Sequence, residues 1–102
     1  MGKQTLTVIA YANNSNSMTN DWVFDIKSIV IPEGWRYLNH HTWITTANPN
    51  VPESNRWKRS EGAERDKNGQ IISLWVKAEA GPRNSFGPHV WIGNGLEVVI
   101  ER

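Results

Sequence analysis

The chain contains no cysteine. No disulfide can staple it, no thiolate can attack a substrate, and no cysteine-based zinc site can form. Long apolar runs are also missing; none approaches the roughly 20 residues of a membrane-spanning helix. The opening residues, Met1-Gly2-Lys3-Gln4-Thr5, lack the apolar stretch of a secretory signal. These absences lead us to expect a cytoplasmic or non-classically secreted protein without a transmembrane segment. An excess of one charge is missing too: 11 Lys and Arg stand against 10 Asp and Glu, a net +1. A general nucleic-acid binder should be more basic, so no nucleic-acid partner is expected.

Catalytic and metal-binding signatures are equally scarce. There is no Gly-x-Ser-x-Gly elbow and no phosphate loop, because Gly93-Asn94-Gly95 lacks the following helix and the Lys-Ser/Thr. No EF-hand spacing is present. His40 and His41 are adjacent, so on a strand they point to opposite faces and cannot chelate one ion together. Glu97 and Glu101 on one strand face would lie about 13 Å apart, too far for a glycosidase pair. No cofactor and no metal are expected, and the chain leans toward binding rather than catalysis.

What is present is alternation. At 102 residues the chain makes a single domain, 1–102, able to bury roughly 60–65% of its unfolded surface. Leu6, Val8, Ala10 and Ala12 share one side of a strand over Gln4 to Ala12. A second strand from about Asp21 to Ile31 sets Trp22, Phe24 and Ile26 against Val23, Asp25 and Lys27. The shift to Ile29 and Ile31 suggests a bulge near Ser28. Pro32-Glu33-Gly34 reads as a turn, and Trp35 to Thr46 as a third strand or a bent pair.

Asn48-Pro49-Asn50-Val51-Pro52 stops that pattern. The charged segment Arg56 to Lys67 holds either a short strand at its start or a helical turn. Asn68-Gly69 marks a tight turn. Gln70 to Ala80 is the clearest strand, with Ile72, Leu74, Val76 and Ala78 on one side and Ile71, Ser73, Trp75, Lys77 and Glu79 on the other. Pro88 to Gly93 and Leu96 to Arg102 read as a terminal hairpin. Short strands with turn signals and no crossover helix predict an all-β fold, a single antiparallel β-sandwich or else a small β-barrel. It should have about six to eight short strands and little or no helix.

Six tryptophans stand out. Trp22 is in phase with Phe24 and Ile26 and reads as core; Trp35, Trp43 and Trp57 are less determined. The hairpin register decides Trp91. A two-residue Asn94-Gly95 turn would pair Trp91 with Val98 and make Trp91 core; the favoured three-residue loop ending at Gly95 gathers Val90, Ile92, Leu96, Val98 and Ile100 on one side. His89, Trp91, Glu97, Val99 and Glu101 then share the other, wetter side. Trp75 is likewise out of phase with its strand's apolar side. An exposed indole leaves apolar area worth about 2–3 kcal/mol in water, so a loop, a second copy of the chain or a ligand should cover it.

Flat aromatic faces suit sugars, whose apolar C–H face stacks on a ring while amides and carboxylates bind the hydroxyls. The expectation is a non-enzymatic, lectin-like carbohydrate- or glycoconjugate-binding module. Trp75 and Trp91 would stack; Tyr11, Asn94, His89 and Glu97 would supply polar contacts; a homo-oligomer would add avidity. Trp57, between Arg56 and Lys58-Arg59, reads either as a lid or as an exposed anchor for an anionic ligand. The alternatives are a protein-interaction or inhibitor module using the same aromatics and a small membrane-surface β-protein.

Overall fold

The computed structural model describes residues 2–14, 21–48, 56–82 and 90–102. These form six strands: β1 (Lys3–Asn14), β2 (Val23–Val30), β3 (Arg36–Ala47), β4 (Trp57–Arg65), β5 (Ile71–Ala80) and β6 (Val90–Glu101). They build two three-stranded antiparallel sheets, β1-β6-β3 (sheet A) and β2-β5-β4 (sheet B). The expected all-β, sandwich-like fold is what forms.

The core lies between the central strands. β5 contributes Leu74, Val76, Ala78 and Ala80; β6 contributes Val90, Ile92, Leu96, Val98 and Ile100. Ala10 and Ala12 of β1, Ile29 of β2, Trp57 of β4 and Ile71 of β5 complete it; at the start of β5, Ile71 is buried and Ile72 exposed, the reverse of the expected alternation. Both expected turns form. Trp35 N–H donates to the Pro32 carbonyl, with Gly34 at φ +88°. Gly69 N–H donates to the Asp66 carbonyl, with Gly69 itself at φ +84°, where a side chain would be strained.

Three expectations are corrected. The terminal hairpin does not exist: β6 runs unbroken through Gly93-Asn94-Gly95 as the middle strand of sheet A. A turn there would put Gly95 at positive φ, and only Gly34 and Gly69 have that among the described glycines. The partition of residues survives, because a straight strand keeps the same parity as a three-residue loop. Asn94 then falls on the inner side and is buried.

Second, β2 is inverted and has no bulge. Ile29 pairs with Leu74 and sets the phase, so Val23, Asp25 and Lys27 share its side. Trp22, Phe24 and Ile26 are exposed rather than core; Phe24 is 62% exposed. Third, the charged segment is a full strand, β4, at the edge of sheet B. Charge on an edge strand discourages further pairing.

Candidate functional site

The outer side of sheet A gathers aromatic and polar side chains from all three of its strands. Directly paired residues share a side of a sheet. Ile9 and Trp43 flank Gly95, Tyr11 and Thr46 flank Gly93, Thr7 and His41 flank Glu97, and Asn13 flanks Trp91. Tyr11 and Ile9 are 45% and 47% exposed, and Trp43 and Trp91 are half-buried.

Two glycines make this surface flat. A Cβ built on Gly95 would lie 2.7–2.8 Å from three atoms of the Trp43 six-membered ring. Near-equal distances to three ring atoms mean that the indole lies face-down over Gly95. Its other face therefore points away from the sheet. Thr45 and Thr46 take the space over Gly93. Trp91 is tied by its indole N–H to Thr46 Oγ1 at 3.3 Å. His41 stacks on Trp43, ring centroids 5.4 Å apart, and its Nδ1 stands 3.8 Å from Glu97 Oε1. The result is a deck three strands wide, about 10 Å across at ordinary strand spacing.

The structure brings Trp91, Tyr11 and Glu97 together here. Trp75 is elsewhere: it lies on the outer side of sheet B, so the expected shared surface with Trp91 does not form. There it repeats the Trp43 arrangement, with its indole over Gly62. Trp43 and Trp75 are thus each partly covered by their own sheet, through a glycine on the neighbouring strand.

Asn94 is 1% exposed and cannot reach the deck. Its amide donates to the Ser60 and Lys77 carbonyls of sheet B, at 3.2 and 3.1 Å, and its oxygen accepts from Arg59 at 3.3 Å. It bridges the two sheets. Trp57 is 5% exposed and points into the core opposite Ala80, which overturns the exposed-anchor reading. His89 lies outside the described residues.

Trp43 and His41 are the deck residues that sequence reasoning missed. Their signal was Gly95, which read as a turn residue instead of as the seat of a cross-strand indole. Among the described residues no cluster of His, Asp or Glu could hold a metal ion, and no helix is long and apolar enough to cross a membrane. Fold and deck define the class: a small two-sheet β-protein with an aromatic outer surface. No protein-family model, no curated protein and no solved structure matches this chain.

Proposed function

We propose that this protein is a carbohydrate-binding module and that the outer side of sheet A is its sugar platform. The observation that carries the reading is the half-buried Trp43 indole lying flat on Gly95, one face on the sheet and the other turned outward with His41 beside it, next to half-exposed Tyr11 and Ile9. A pyranose stacks its C–H face on such a ring. Thr7, Asn13, His41 and Glu97 around the deck supply donors and acceptors for the hydroxyls.

The test is a glycan-array screen followed by titration of a hit against single variants. Trp43→Ala should weaken binding about tenfold, equivalent to roughly 1.4 kcal/mol. Trp75→Ala, on the opposite sheet, should leave it unchanged. A blank array, or equal losses in both variants, would end the proposal.

A second reading, a protein-interaction module, is favoured by the outer side of sheet B. There Phe24, Ile26 and Val30 are 62%, 47% and 70% exposed, an apolar group of the kind that partners cover. A Phe24→Lys variant that abolishes self-association in sedimentation would support it.

A further inference from the structure

The two sheets meet on one side and stand open on the other. On the closed side the Tyr11 N–H of β1 donates to Asp25 Oδ2 of β2 at 3.0 Å. On the open side, the facing edges are β3 and β4, joined by side chains. The Tyr37 hydroxyl lies 2.6 Å from His40 Nδ1, and His40 Nε2 lies 3.0 Å from Glu61 Oε2 across the gap. Thr42 Oγ1 donates to the other Glu61 oxygen at 3.1 Å, so both carboxylate oxygens are engaged.

A β-bulge builds this relay. Tyr37 pairs with Ile100 and His40 with Val98, both inward, with a register shift at Leu38 between them. Without the extra residue, positions 37 and 40 would point to opposite sides. Bulges of this kind re-aim side chains. Tyr37 and His40 also line a cavity of about 320 Å³ that Arg36, Arg65 and Gln70 share, with Ile71 at its wall. The Arg36 guanidinium is held by Glu101, and that of Arg65 by the Gly69 carbonyl.

A carboxylate oxygen accepts hydrogen bonds, so the ring nitrogen facing Glu61, Nε2, is the one that donates. Nδ1 is then the bare acceptor of the Tyr37 O–H. A carboxylate orienting an imidazole, and the imidazole taking a hydroxyl proton, is the arrangement that activates a nucleophile. We propose that Tyr37 is an activated nucleophile and that the arginine-lined cavity accepts the oxyanion of a phosphate ester.

In the step implied, Tyr37 Oη forms a bond to phosphorus as the ester P–O bond breaks. The phenolic proton passes to His40 Nδ1, and the departing alkoxide, in line on the far side of phosphorus, takes its proton from water. Glu61 acts as a positioning residue, holding the imidazole and facing the imidazolium charge. The Arg65 guanidinium, with N–H groups beyond the one given to the Gly69 carbonyl, holds the phosphoryl oxygens.

The experiment uses benzenesulfonyl fluoride on the intact chain, with labelled tyrosines mapped by mass spectrometry. Tyr37 Oη bonds to sulfur, the S–F bond breaks, fluoride leaves, and His40 takes the proton. Tyr11 is the internal reference, since it is 45% exposed and Tyr37 less so. Tyr37 should label at least tenfold faster than Tyr11; equal rates, or faster Tyr11, overturn the proposal without any variant.

His40→Gln should slow Tyr37 about a hundredfold, within the usual span of general-base assistance, with Tyr11 unchanged. Glu61→Gln should slow Tyr37 without moving the unfolding midpoint, and Glu61→Asp should restore part of the rate. Inorganic phosphate should protect Tyr37 and not Tyr11. Absence of protection removes the oxyanion site, and a His40→Gln variant as reactive as wild type removes the relay.

Discussion

Gly95 shows how a single missing side chain shapes a surface. It sits in extended backbone, so its role is space and not conformational freedom. A methyl group there would meet the Trp43 ring at 2.7 Å, well inside ordinary contact distance. Either the indole lifts or the strand shifts. Overpacking of this kind costs about 1–3 kcal/mol. Gly95→Ala should therefore lower the urea midpoint with little change in slope. It should also weaken any sugar bound on the deck, because the displaced indole no longer lies flat. An unchanged midpoint would mean that the indole is not seated on this glycine. Asn94, its neighbour, faces the other way and shows the opposite economy: a polar group in an aliphatic row, accepted because three hydrogen bonds satisfy it.

At the scale of the element, the β4–β5 hairpin depends on Asp66. Its Oδ1 accepts from the backbone N–H of Asn68 and Gln70, at 2.8 and 3.0 Å, while Gly69 takes the left-handed position. This is a type I turn closed by a glycine bulge. Asp66→Ala removes both side-chain bonds and should cost about 1–2 kcal/mol. β4 is an edge strand paired only to β5, so its amides should exchange faster in the variant while those of β6 keep their protection. Equal acceleration in both strands would indicate global rather than local loosening.

The same hairpin shows how far alternation alone could be read. β1 is legible, and β5 from Leu74 onward, because their apolar residues recur every second position beside polar ones; at the start of β5, Ile71 turns inward and Ile72 stays exposed, against that alternation. β4 is not legible, because an edge strand carries charge on its open side and its pattern resembles a solvated loop. β2 runs against its apparent alternation because Asp25 and Lys27, on the side of Ile29, pair with each other beside β1 and leave Phe24 and Ile26 outside. In β6 the Gly-Asn-Gly turn signal outweighed strand continuity. The deck was legible as Tyr11, Trp91 and Glu97. Trp43 and His41 needed the pairing of β3 with β6, and Trp75 needed the division into two sheets. The Tyr37–His40–Glu61 relay depends on a bulge and a gap between sheets, which no local pattern encodes.

For the whole molecule, the asymmetry between closed and open sides gives the fold a pH-dependent seam. Asp25 sits on the closed side, bonded to Tyr11 N–H and 3.1 Å from Lys27 Nζ. Partial burial works to raise its pKa. The Tyr11 N–H, the Lys27 ammonium and the Ile26 N–H outweigh it and hold the carboxyl below its ordinary value of 3.8. A carboxyl depressed in the folded state adds stability above its unfolded pKa and loses it as pH falls through the folded value. Acidification below about pH 4 should therefore weaken the β1–β2 seam. Asp25→Asn removes the titrating group, so the variant should start less stable at pH 7. Its stability should then fall less than that of wild type between pH 5 and pH 2. Urea unfolding at both ends of that window measures the difference of differences. Parallel acid losses in the two proteins would mean that the seam is held by packing between β1 and β2 and not by this carboxylate.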